Sequence, residues 1–167
     1  PIYRGLVLSA SILFIVGIVD DLQFPVAPKW RLIAVSCSAI MMIFLSKIWL
    51  INVSTPVLQY FFEIRFFAIA FTVFAVCGVS HSINLIDGLN GFSMGNVLTI
   101  SCCLAAIAVK VDNDAVFAMS LILISAVVGV FIFNFPVSYL FLGDAGAYLL
   151  GYFLSWLAII LIYENPE

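Results

Sequence analysis

Residues 115–133 read AVFAMSLILISAVVGVFIF, nineteen positions without one charged side chain. A bilayer's hydrocarbon core takes about 20 apolar residues of helix to cross. Inside lipid no water reaches the backbone, so such a run satisfies its own N–H and C=O groups only as a helix. The short alternating segments of a membrane β-barrel are not seen. The stretch predicts a membrane-spanning helix, and most of the 167-residue chain follows its pattern.

Five more runs read the same way: Ile2–Val19, Leu32–Ile51, Phe66–Leu85, Phe92–Val109 and Ala145–Tyr163. The chain is 65% hydrophobic and 9% charged, whereas a soluble domain carries about 25% charged residues. The expected fold is an all-α polytopic membrane protein of about six spans, forming one domain over residues 1–167. The chain begins at Pro1, and its first apolar run lacks a basic leader and an A-x-A-like site. That run is therefore not a signal peptide, and we expect an internal piece of a longer protein. The net charge is −3, with no basic patch, so nucleic acid is excluded as a partner. Cys37, Cys77, Cys102 and Cys103 lie inside apolar runs without metal-ligand spacing and read as small membrane side chains. The glycosylation-like pattern at Asn52 is short enough to arise by chance.

The polar residues collect between the spans. Pro25, Pro28, Pro56 and Pro136 fall in these connections, where helices break. Counting crossings puts DDLQFPVAPKWR, DGLNG and NFPVSYLFLGD on one face, and NVSTPVLQYFFEIR and KVDND on the other. Asp20, Asp21, Asp87 and Asp144 thus share a face, while Asp112 and Asp114 sit in a hydrated turn opposite. Carboxylates at a membrane edge are energetically costly and tend to be functional. Lys29 and Arg31 lie on the Asp face, against Lys47, Arg65, Lys110 and Arg4 on the other. The positive-inside rule therefore leans slightly against a cytoplasmic Asp face.

Three motifs carry candidate chemistry. In GIVDDL two adjacent carboxylates end a span, where they oppose the helix dipole. They either mark the water boundary or need an offsetting cation or proton. In HSINLIDGLNGFS, His81, Asn84 and Asp87 are spaced three apart, along one flank of a helix. Gly88 and Gly91 then break it, with Asn90 between them. The alternative is a hydrogen-bonded helix end with an Asp-Gly turn. In FNFPVSYLFLGDAGAYLLG, Asp144 is either a helix N-cap or a catalytic group. Gly143, Ala147 and Gly151 form a small-residue stripe suited to close helix packing. Carboxylates beside Gly-rich loops and a helix N-terminus suit a hard cation and an anionic phosphate. The chemistry indicated is metal-assisted phosphoryl transfer at a membrane surface.

In order and approximate spacing, the three motifs resemble those of the polyprenyl-phosphate N-acetylhexosamine-1-phosphate transferases, over nearly the whole chain. The resemblance implies a bundle of ten or eleven helices in the bacterial cytoplasmic (inner) membrane, with a cytoplasmic active-site face. It implies transfer of a sugar-1-phosphate from a UDP-sugar to undecaprenyl phosphate, with release of UMP. The implied cofactor is Mg²⁺, or Mn²⁺ in its place. Asp20 and Asp21 match the family's acidic pair, assigned to metal or lipid-phosphate chemistry. Asn84 and Asp87 match its Asn-x-x-Asp-Gly motif, and Asp144 its Gly-Asp metal-ligand candidate. The implied catalytic residues are Asp20, Asp21 and Asp87. Substrate falls to His81, Asn84, Gly88 and Asn90, and metal to Asp144 and Asp21. The family often has Asp at Asn90, Asn at His81 and Ser at Ala147. These departures resemble the O-antigen or lipopolysaccharide-type initiating enzymes more than the peptidoglycan translocase of the same family. The family's first spans and its later basic, His-containing loop have no counterpart here, so these residues alone are expected to be inactive. Membrane lipids are implied partners, and a homodimer stays open. A transporter with a carboxylate ion site is the competing class, but such sites usually lie near the bilayer midplane. Here all four carboxylates fall at span ends.

Overall fold

The structure is a computed structural model, and its described residues are 2–22, 24, 26–51, 56–137 and 139–165, with only the backbone described at 56–58. Pro25 and Asn52 lie outside them. Among the described residues there are seven helices and no strand: α1 (Ile2–Asp21), α2 (Pro28–Ser46), α3 (Pro56–Phe62), α4 (Arg65–Ile86), α5 (Phe92–Lys110), α6 (Asp114–Asn134) and α7 (Gly143–Glu164). Six of these are long and apolar enough to cross a membrane. The expected all-α polytopic fold is the one observed.

Two elements differ from the sequence expectation. The second span was expected at Leu32–Ile51, but α2 runs Pro28–Ser46. Pro28 stands at the start of the helix, where its missing N–H and fixed φ suit the first turn. Lys47 ends the helix in the left-handed region at φ 61°, its N–H donating to the Ile43 carbonyl. The apolar Ile48–Leu50 segment continues without helix, because hydrophobicity alone does not distinguish helix from extended chain. The second difference is α3, a short helix within the connection between α2 and α4.

The bundle is organised around α7, the most deeply buried span. It packs mainly against α4 and α1, and less extensively against α5 and α6. Two contacts bring it very close to its neighbours. A Cβ on Gly17 of α1 would lie 2.3 Å from the Ala145 Cα, and one on Gly151 would lie 2.6 Å from the Ser80 Cα of α4. Such approaches need small residues at the crossing. The small-residue stripe is thus shared between partners, with Gly151 on α4 and Gly143 on the Asp21 carboxylate of α1.

Mid-bundle, a buried polar knot joins three helices. The Tyr152 hydroxyl lies 2.8 Å from Ser9 Oγ and 3.0 Å from the Ser38 carbonyl, and Ser38 Oγ donates to the Ser9 carbonyl. The three hydroxyls of this knot each have a partner, which a low-dielectric interior favours. At one end of the bundle the α4–α5 and α6–α7 connections are tied together. Gly91 N donates to Asn134 Oδ1 at 2.6 Å, and Asn134 Nδ2 donates to the Leu140 carbonyl at 2.8 Å. Asn134 is itself buried. At the other end, Asn113 Nδ2 donates to Glu164 Oε2 at 2.7 Å, and the Arg65 guanidinium sits 4.9 Å from the Trp49 ring.

Candidate active site

The last turn of α1 delivers Asp20 and Asp21 in different directions. Asp20 turns back under its own connection. Its Oδ1 accepts from Val26 N at 2.9 Å, and its Oδ2 lies 2.5 Å from Arg31 Nη2. Arg31 stands in the first turn of α2, and its Nε donates to the Val26 carbonyl at 3.0 Å. The same guanidinium reaches across to α7, with Nη1 3.0 Å from Asp144 Oδ2. Asn84 on α4 donates through Nδ2 to Asp144 Oδ1 at 2.6 Å. Four helices therefore converge on Asp144 and Arg31. Arg31 offsets the charge of Asp20 and Asp144, an opposite-charge pairing that favours both ionised forms.

Asp21 faces the start of α7. Its Oδ1 accepts from Asp144 N at 2.8 Å and its Oδ2 from Ala145 N at 3.1 Å. The residue before α7, Leu142, gives no side-chain cap, and Asp144 lies inside the first turn. Asp144 is therefore not the N-cap that the sequence left open. The cap comes from α1, and it leaves the Asp144 carboxylate for Arg31 and Asn84.

Asp87 follows the last turn of α4. Its Oδ1 accepts a hydrogen bond from Ser93 Oγ at the start of α5. Burial pushes the Asp87 carboxyl up from its ordinary value, and the Ser93 hydroxyl pulls it back down. Gly88 opens onto free space, with nothing within 4 Å of a Cβ placed there. Asn90 is exposed, and its Nδ2 lies 3.5 Å from the Pro136 carbonyl. His81 packs edge-on against Tyr148 at 5.1 Å, and its Nδ1 lies 2.9 Å from the Cys77 carbonyl. A carbonyl only accepts, so Nδ1 carries the proton in this contact.

The sequence left four participants unmarked. Arg31 was counted only for charge bias, although a cation beside an acidic pair is itself a signal. Tyr148, one turn beyond Asp144, is buried and lines the same small cavity as Arg31 and Asp20. Ser93 and Asn134 act on residues 6 and 43 positions away, and only the fold brings the latter pair together. Beneath Asp20, Arg31 and Tyr148 the packing leaves a cavity of about 10 Å³. Along the bundle, an apolar groove of about 470 Å³ lies between α1, α6 and α7 and reaches Leu142 and Gly146, flanking Asp144.

A cluster of carboxylates and one arginine at the end of apolar spans defines a membrane-embedded helical protein with a polar site at its surface. The family model of glycosyl transferase family 4 matches residues 3–162, and the chain belongs to that family. It is similar to a Bacillus subtilis (strain 168) protein named probable undecaprenyl-phosphate N-acetylglucosaminyl 1-phosphate transferase, with 28% identity over 96% of this chain and 44% of that protein. It is also similar to two proteins named phospho-N-acetylmuramoyl-pentapeptide-transferase. The Leuconostoc citreum protein is 30% identical over 80% of this chain and 42% of its own length. The Lactobacillus acidophilus protein is 37% identical over 54% and 28%. The chain thus spans less than half the length of these relatives. Family and spans together make it a multi-pass membrane protein of that family.

Proposed function

We propose that the chain forms the catalytic core of an enzyme that transfers N-acetylhexosamine-1-phosphate from a UDP-sugar to undecaprenyl phosphate and releases UMP. This would be the initiating step of a cell-envelope polysaccharide, at the cytoplasmic face of a bacterial inner membrane. The observation that carries it is the convergence of Asp20, Arg31, Asn84 and Asp144 from four helices at the mouth of the bundle. The Bacillus relative, aligned along nearly the whole chain, favours N-acetylglucosamine as the sugar. The second reading, phospho-N-acetylmuramoyl-pentapeptide as the transferred group, draws on the names of the other relatives.

The donor set fits a magnesium ion shared with substrate. Asp20 and Asp144 both reach one guanidinium, so their oxygens can serve one cation. Among the described residues no three His, Cys, Asp or Glu side chains group to form a closed cage. Mg²⁺ is commonly held by one or two carboxylates completed by substrate phosphates. Bound there, the ion would neutralise charge on the diphosphate.

The chain's own residues do the rest. Asn84 fixes the Asp144 carboxylate, and Arg31, which here pairs with Asp20 and Asp144, would offer its planar fork to phosphate oxygens once a cation took those carboxylates. A lipid-phosphate oxygen attacks the phosphorus that bears the sugar. The bond to the bridging oxygen breaks, and UMP leaves with the electron pair. Asp87, its carboxyl raised by burial, is the better-matched acceptor for any proton on the attacking phosphate. Gly88 and Asn90 border the donor on the connection side, with His81 behind them. The groove beside Leu142 and Gly146 gives the acceptor's apolar chain a path to the site.

The test uses the full-length protein with UDP-N-acetylglucosamine, undecaprenyl phosphate and Mg²⁺, reading UMP. Wild type should release UMP, and Asp144→Asn should lower the rate by about a thousandfold or more at every Mg²⁺ concentration. Near-normal turnover in that variant would remove Asp144 from the metal site. Absence of UMP with every UDP-sugar offered would defeat the function itself.

A further inference from the structure

We infer that Asp21 is a positioning residue that acts through Asp144, as a helix cap supplied from a neighbouring helix. This rests on the reading of the site given above. Both Asp21 oxygens are taken by backbone N–H groups, those of Asp144 and Ala145. Helix α7 has no side-chain cap from its own preceding residue, so its first N–H groups would otherwise lack a protein partner. A carboxylate there is also favoured by the helix dipole.

The surrounding structure is shaped to hold this contact. Gly143 has φ +72°, and a Cβ on it would stand 2.7 Å from Asp21 Oδ2. One turn before Asp21, Gly17 lets α1 touch the Ala145 backbone. Asp20 next to it makes none of these contacts and pairs instead with Val26 and Arg31. The adjacent acids thus divide their work. Asp20 faces the reacting charges, and Asp21 sets the position of the Asp144 turn.

The test compares Asp21→Asn with Asp21→Ala in the full-length protein. An Asn keeps one acceptor oxygen for these two N–H groups while its NH₂ cannot accept, and as a helix cap Asn serves about as well as Asp. Asp21→Asn should therefore keep UMP release within about tenfold of wild type, whereas Asp21→Ala should lose about a hundredfold or more. Mn²⁺ affinity, read by electron paramagnetic resonance, should survive in the Asn variant. A metal-ligand or proton-acceptor role predicts instead that Asn is as inactive as Ala, and that result would overturn the inference. Gly143→Ala supplies a second arm. It intrudes on the same contact and also brings left-handed backbone strain of its own, so its effect should add only partly to that of Asp21→Ala, and full additivity would also count against the cap. If wild type releases no UMP, the proposed function fails, yet the melting temperatures still decide the cap. Asp21→Asn should then melt clearly above Asp21→Ala, and equal melting of the two variants would reject it.

Discussion

Burial raises the Asp87 carboxyl above its usual range while the Ser93 hydroxyl draws it down. A raised carboxyl keeps its proton to higher pH, so a step needing ionised Asp87 fails on the acid side sooner than for an ordinary aspartate. Removing Ser93 Oγ takes away the lowering contribution. We predict that Ser93→Ala shifts the acid limb of the kcat/KM profile to higher pH, and an unmoved limb would separate Asp87 from the rate. The carboxylates were legible in the sequence because charge is rare and costly in so apolar a chain. Their division of labour was not legible. Asn84 and Asp144 are 60 residues apart, and Asp21 and Ala145 are 124 apart, so only the folded bundle says which acid meets a cation, an amide or a helix end.

At the scale of elements, span existence could be read from apolar runs, but span ends could not. The start of α2 answers to Pro28 and its end to Lys47, while the apolar run begins later, at Leu32, and continues past Lys47 to Ile51. The small-residue stripe of α7 was visible, but which helix each member faces depends on the bundle. Gly151 meets the Ser80 backbone, whereas Gly78 on α4 has nothing within 4 Å of a Cβ. Gly151→Leu should therefore destabilise the full-length protein by about 1–3 kcal/mol through overpacking. Gly78→Ala should be neutral or stabilising by up to about 1 kcal/mol, from helix propensity. Thermal unfolding in detergent checks both. Equal effects at the two positions would contradict the close α4–α7 crossing.

For the whole molecule, crossing parity was the most informative sequence argument. The contacts Asp21–Ala145, Asn84–Asp144 and Gly91–Asn134 gather its three chosen connections at one end. We predict that cysteines introduced at Phe24 and Leu89 react with a membrane-impermeant maleimide from one side, and those at Glu63 and Asp112 from the other. Inside-out and right-side-out vesicles of the full-length protein would show which side is cytoplasmic. Labelling of Phe24 and Leu89 positions from opposite sides would break the parity.

The polar knot at Tyr152 gives this architecture a timetable. Ser9 and Ser38 precede Tyr152 by 143 and 114 residues, so α1 and α2 leave the ribosome well before α7 exists. They need not wait with bare hydroxyls in lipid, since Ser9 Oγ bonds the Leu6 carbonyl and Ser38 Oγ the Ser9 carbonyl. The early hairpin is thus chemically complete as a nascent intermediate. The tyrosine arrives last and fastens it to the helix that carries Asp144. Assembly of the end that carries Asp144 is in this way made contingent on translation having reached α7.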